Sequence, residues 1–309
     1  MSTSKFVNVA ANAVAKAGQA IRELPRVFQV KEGEGHRSGI TKGDVLSQEI
    51  LLQELEQFAD ARFLCEEDTS HPRAFNKNNP EGILEAPLVF VIDAIDSTAR
   101  YGAELDGWCV AVGIMEYGEV TGGAVYAPAS QGGFLVVSEK GKGVTTTEWN
   151  GRMVRPVVPL VGEGTLPKNS IVLFGADAPL FRNVANILPE LYANVRLGSS
   201  GSSGILTLAR VGARRVQAAF QTPQKAWDWI PAYRAALETG NIVQFFRIIK
   251  GELVPVSTYD FEAMCTSMQT TEGRLGFVAG EPALAQKLFN LLPRTGWERF
   301  APDTVGGKW

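Results

Sequence analysis

Histidine is almost missing from this chain, with only His36 and His71 among 309 residues. Zinc sites rich in imidazole and phosphohistidine chemistry are thereby excluded, because neither has the residues it needs. Cysteine is scarce too. Cys65, Cys109 and Cys265 are too few, and of the wrong parity, for a disulfide framework, which fits a reducing compartment. No window approaches the length and apolarity of a membrane span. The N-terminus lacks the basic flank and continuous apolar core of a secretory signal, so the expected location is the cytoplasm, with no membrane partner. The net charge is −3 and neither sign clusters over a long block, so composition gives no case for a nucleic-acid partner.

What is present describes a soluble globular protein: 45% apolar and 20% charged residues, in a length that holds one large or two ordinary domains. The most informative stretch is Leu88-Val89-Phe90-Val91-Ile92-Asp93-Ala94-Ile95-Asp96-Ser97-Thr98. Its unbroken apolar run predicts a buried strand. The run stops at Asp93, and a second carboxylate follows at Asp96. Like charges this close raise one pKa sharply unless a cation sits between them. Hard divalent cations such as Mg2+ take carboxylate and carbonyl oxygens, so a metal site is one reading. The other is that both acids cap the next helix or face water.

Phe6, Ala10, Ala13, Val14, Ala17, Ile21 and Leu24 recur at helical spacing and predict an amphipathic helix over 5–24. Thr41 and Asp44 are spaced as a capping box opening a second helix, with Val45, Leu52, Leu55 and Phe58 as its buried stripe. Glu66-Glu67-Asp68, by itself, reads as a solvated acidic face. Residues 108–115, 120–126 and 133–137 read as antiparallel strands, the first two joined by a hairpin at Glu116-Tyr117-Gly118-Glu119. The glycine- and proline-rich stretch 138–170 is the best candidate for a domain junction. It divides the chain into an N-terminal half, 1–150, and a C-terminal half, 151–309.

In the second half, 171–174 reads as a strand, 180–191, 204–217 and 228–238 as helices, and 244–257 as a hairpin around Lys250-Gly251-Glu252. Gly198-Ser199-Ser200-Gly201-Ser202-Ser203-Gly204 has the composition of a linker, yet it runs directly into an amphipathic helix. Small residues at a helix N-terminus leave N–H groups for a phosphate, so this is an anion turn or a plain linker. Trp227-Asp228-Trp229 adds one more acid, an N-cap or first-turn residue when taken alone.

The order and spacing of these pieces resembles the inositol monophosphatase family of Mg2+-dependent phosphatases. Its superfamily includes fructose bisphosphatases and 3′-phosphoadenosine phosphatases. The pieces are Ile40-Thr41-Lys42-Gly43-Asp44, Cys65-Glu66-Glu67, the strand with Asp93 to Thr98, Gly122-Gly123-Ala124-Val125-Tyr126-Ala127-Pro128, the glycine-serine turn, and Trp227-Asp228 through Glu238-Thr239-Gly240. The resemblance implies an α/β (α+β) fold, a layered αβαβα sandwich. The N-terminal α+β half would carry most ligands, and the C-terminal α/β half Asp228 and the anion turn. Two or three Mg2+ ions are implied, replaceable by Mn2+. Glu66, Asp93 and the Ile95 carbonyl would hold one ion, and Asp93, Asp96 and Asp228 a second. Thr98 would work with Glu66 to position and deprotonate the attacking water, with Asp44 near that water network. N–H groups of Ser97 and Thr98 would hold the phosphate, and Arg196, Gly201, Ser202 and Gln221 would contact the substrate.

The implied activity is hydrolysis of a small polyol, inositol or sugar phosphate. The alternatives are a 3′-nucleotide or bisphosphate phosphatase, and a catalytically silent relative that binds a ligand. The implied partners are a small phosphorylated metabolite and a second copy in a homodimer. An aspartyl-phosphate mechanism would need Asp-x-Asp, and the spacing here is Asp-x-x-Asp. The chain also departs from the family pattern. Ala94 and Ser97 replace the proline and glycine of Asp-Pro-Ile-Asp-Gly-Thr, and Cys65 replaces a glycine before the acidic pair. Gln221 stands where inositol phosphatases carry a glutamate for substrate hydroxyls.

Overall fold

The structure, a computed structural model, describes residues 3–27, 29–30, 39–77, 80–130, 133–148, 152–157, 170–175, 189, 193, 195–199, 203–256 and 274–297. The expected helix over 180–191 therefore lies almost wholly outside the described residues. In the first half, α1 (Thr3–Arg22) leads to a small pair, β1 (Gln29–Val30) with β2 (Gly39–Ile40), and then to α2 (Lys42–Leu55). A single sheet follows, built from β3 (Ala61–Cys65), β4 (Leu88–Asp96), β5 (Cys109–Glu116), β6 (Glu119–Ala127), β7 (Phe134–Glu139), β8 (Gly143–Glu148) and β9 (Arg152–Val157) in that spatial order. The short α3 (Thr98–Gly102) interrupts it after β4.

The second sheet has the order β11-β10-β12-β15-β13-β14. Its strands are β10 (Ile171–Gly175), β11 (Arg196–Ser199), β12 (Ala218–Gln224), β13 (Ile242–Ile249), β14 (Glu252–Val256) and β15 (Leu275–Gly280). Between them run α4 (Gly204–Gly212), a 3-10 turn (Ala226–Asp228) and α5 (Ile230–Glu238), with α6 (Pro282–Leu291) after the last strand. Among the described residues no helix is long and apolar enough to cross a membrane.

Packing stacks these elements into five layers. α1 and α2 cover one face of the first sheet, and α4 and α5 lie between the two sheets. α6 closes the outer face of the second sheet. This is the expected αβαβα sandwich, and β4 shows why its sequence is continuously apolar. Leu88, Phe90 and Ile92 join the core under α1 and α2, while Val89 and Val91 join the core around α4 and α5. A strand covered on both faces has no solvent side to mark with polar residues.

Gly113 and Gly123 face each other on β5 and β6. A Cβ at Gly123 would lie 2.0 Å from the Pro231 carbonyl oxygen. The bare strand thus seats the start of α5, and with it the turn that ends at Asp228.

One expectation needs correction. Val45 is exposed, while Leu52, Leu55 and Phe58 are buried as expected and the buried face of α2 also takes in Asp44, Gln48 and Leu51. The first turns of that face are polar, so an apolar stripe could not locate it. The stretch 138–170 carries β8 and β9, which extend the first sheet to Val157. Val144 and the three threonines after it favour a strand, and Pro156 is tolerated because β9 lies at the sheet edge.

Candidate active site

Asp93 and Asp96 stand at the end of β4, and in a regular strand residues three apart point to opposite faces. Here Asp93 pairs with Ala111 and Asp96 with Cys109, three steps on β4 against two on β5. That extra residue is a β-bulge, and it turns both carboxylates toward the face that holds α4 and α5.

The opposite wall comes from the second half of the chain. Ser203, the N-cap of α4, donates its hydroxyl to Asp96 Oδ2 at 2.6 Å, and the Ile205 N–H donates to the same oxygen at 3.0 Å. The Cys109 thiol lies 3.9 Å from it. A Cβ at Gly204 would stand 2.7 Å from the Asp228 carbonyl oxygen, so only glycine lets α4 start against that turn. Asp228 Oδ2 accepts from the Lys225 N–H at 2.8 Å, closing its own 3-10 turn. Glu66 follows β3 directly and donates its backbone N–H to the Ile92 carbonyl at 3.0 Å.

These acids perturb one another. The Asp93 pKa is raised well above the usual carboxylate range, first by burial and then by the charges of Glu66, Asp96 and Asp228. Asp96 is raised for the same reasons, against the opposing hydrogen bonds from Ser203 and Ile205. Both Asp93 carboxylate oxygens are buried and receive no hydrogen bond. Glu66 lies within hydrogen-bond reach of Asp93. Both are acceptors when ionised, so their contact is a bond only with a proton on one of them. Among the described residues no group of three or more His, Cys, Asp or Glu side chains is arranged, as it stands, to hold a metal ion. Like-charged carboxylates do not close on one another without a cation between them. The orphaned Asp93 oxygens and the all-oxygen donor set fit a hard divalent ion.

Beside this cluster, the Thr98 hydroxyl donates to Asp44 Oδ1 at 3.0 Å and to the Ile95 carbonyl at 3.1 Å. Asp44 Oδ2 accepts from the Thr41 N–H at 2.7 Å and from its hydroxyl at 2.6 Å, completing the expected capping box. Burial lifts the Asp44 pKa from 3.8 to about 6, against those bonds. Ser97 precedes α3 with φ 70° and ψ 52°, left-handed values that glycine adopts more easily.

The chain matches the inositol monophosphatase family over residues 2–255. The chain belongs to this family. An inositol-1-monophosphatase of Mesorhizobium japonicum is 24% identical over 249 residues, 79% of this chain and 86% of that protein. The Nus factor SuhB of Escherichia coli is 22% identical over 276 residues, 85% of this chain and 96% of the relative. A fructose-1,6-bisphosphatase/inositol-1-monophosphatase of Thermotoga maritima is 24% identical over 72% of this chain and 77% of its own length. The crystal structure of the extragenic suppressor protein suhB from Bartonella henselae superposes with a TM-score of 0.69 at 19% identity, covering 92% of this chain and 97% of that one. Membership makes the protein a phosphatase, a phosphoric monoester hydrolase.

The residues expected from the family pattern have different fates in the fold. Glu66 and Asp228 stand close enough to Asp93 and Asp96 to raise the pKa of both, and Asp44, Thr98 and Ile95 adjoin one another through hydrogen bonds. Gln221 is buried on β12, the strand that leads to Asp228. Arg196 is exposed and pairs with Ile171 at the start of the edge strand β11. Gly201 and Ser202 lie outside the described residues. Of the three-acid run only Asp68 is exposed, whereas Glu67 is buried and Glu66 intermediate. Sequence reasoning placed Ser203 in the glycine-serine turn but missed its bond to Asp96, although its place just before an apolar helix is an N-cap signal. It also missed Gln48, for which no sequence signal exists.

Proposed function

We propose that this phosphatase hydrolyses a small polyol, inositol or sugar phosphate at a Mg2+ site formed by Glu66, Asp93, Asp96, Asp228 and the Ile95 carbonyl. The observation that carries the reading is the pair of buried Asp93 oxygens without a donor, set among three other acids. Bound ions supply positive charge for oxygens that gain negative charge in an in-line displacement, and acidify water. The one Thr98 hydroxyl proton is taken up by Asp44 or the Ile95 carbonyl, so its oxygen is left to accept a hydrogen bond from the attacking water. Asp44, with a pKa near 6, is a proton acceptor matched to neutral pH. Glu66 shares that role on the other side. N–H groups at the Ser97–Thr98 turn, where α3 begins, suit a phosphate oxygen.

Phosphate release measured over a panel of inositol, sugar, polyol and 3′-nucleotide phosphates, with and without Mg2+, tests this. Metal-dependent turnover of a monophosphate supports it, and faster turnover of a bisphosphate favours the fructose bisphosphatase-like alternative. A second reading, a partner-binding protein with little turnover, draws on the match to a Nus factor over 96% of that relative's length. It predicts no hydrolysis of any panel member. The family resemblance also supports a cytoplasmic homodimer, which light scattering on the purified protein tests.

A further inference from the structure

We propose that Gln48 and Lys77 are positioning residues for Glu66, a role that rests on the metal reading above. Gln48 stands one helical turn beyond Asp44 on the buried face of α2. Its amide oxygen accepts the Glu67 N–H at 3.2 Å, and its amide nitrogen donates to the Glu67 carbonyl at 3.2 Å. Two bonds of opposite sense to one residue reproduce a strand pairing, so the side chain holds the Glu67 backbone in one orientation. From the other side, Lys77 donates its ammonium to the Glu66 carbonyl at 2.8 Å and pairs with Asp68 Oδ1 at 3.1 Å. The Lys77 side chain is 13% exposed and that of Asp68 92%.

This grip sorts three consecutive acids. Asp68 lies at the surface in contact with the lysine, the Glu67 backbone is locked to α2, and the Glu66 carboxylate is left beside Asp93. Because α2 also carries Asp44, one helix fixes both Asp44 and the backbone that follows Glu66. Groups behind the ligands commonly govern metal affinity by about ten- to a hundredfold when removed.

The test is Mn2+ binding to the full-length protein, measured by titration calorimetry, beside the Mg2+ dependence of turnover. Gln48→Leu keeps the bulk and removes both bonds, and we expect the Mn2+ dissociation constant to rise about tenfold. The concentration of Mg2+ for half-maximal rate should rise in parallel, while kcat at saturating Mg2+ changes far less. Lys77→Met discriminates by sign. Loss of a nearby positive charge alone would tighten cation binding, whereas loss of positioning weakens it. Unchanged or tighter Mn2+ binding in either folded variant overturns the proposal, and Lys77→Met decides the matter should Gln48→Leu fail to fold. A wild-type protein that binds no Mn2+ overturns the metal site itself.

Discussion

Ser203 Oγ lies 2.6 Å from Asp96 Oδ2 and donates to it, tying the N-terminus of α4 to the end of β4. The same hydroxyl accepts the Leu206 N–H at 3.0 Å. Ser203→Ala therefore removes a helix cap and one of the bonds that aim Asp96. We expect a loss of about 1–2 kcal/mol in urea unfolding, together with a higher Mg2+ requirement for turnover. An unchanged Mg2+ requirement would show that Asp96 is aimed without this serine.

Asp93→Asn should separate stability from function. The variant removes a buried carboxyl group whose ionisation is opposed by burial and by three neighbouring acids. We expect the metal-free protein to gain about 1 kcal/mol or more, while turnover falls by at least about a hundredfold. Thermal unfolding in EDTA and a phosphate-release assay read the two effects, and near-wild-type turnover would refute the assignment of Asp93.

Metal-free stability should fall as pH rises. Asp44 goes from 3.8 to about 6 on folding, and Asp93 and Asp96 move in the same direction. The folded state then holds protons more tightly than the unfolded chain. The contribution of Asp44 is complete below pH 3.8 and is lost as pH climbs through about 6, on the order of 3 kcal/mol. Divalent ions replace those protons, so Mg2+ should raise the unfolding midpoint more at about pH 7.5 than at about pH 5. Melting curves with EDTA and with Mg2+ at the two pH values check the sign.

Thr98→Val keeps the shape of the side chain and deletes its hydroxyl. With the link to Asp44 gone, kcat should fall by about 10²–10⁴-fold. Mn2+ affinity should stay close to wild type, since Thr98 is not among the proposed ligands. Calorimetry and single-turnover kinetics on the same preparation distinguish the two effects.

Ser97→Gly restores the residue usual in the family. The left-handed backbone at Ser97 costs a residue with a Cβ, and we expect the variant to gain about 1 kcal/mol at most. Turnover should be retained. A loss of stability would mean that the serine side chain contributes more than its backbone costs.

The sequence by itself determined most of the separate helices and strands and the acids at the end of β4; the layered architecture came only with the family resemblance. The separate elements rest on local rules: continuous apolar runs, capping spacings, and the Tyr117-Gly118 and Lys250-Gly251 hairpin turns, both with positive φ. Spacing in the chain also carried the family pattern, which needs no coordinates. Only the tertiary structure decided how the acids meet. The bulge between Asp93 and Asp96 exists because β5 offers one residue, Val110, against Ala94 and Ile95, a fact written in no single strand. Ser203 reaches Asp96 across the interior from a distant part of the chain, and Gln48 finds the Glu67 backbone by the packing of α2 on β4. Side-chain hydrogen bonds between remote segments leave no period in a sequence, because any donor of suitable length at that place can make them.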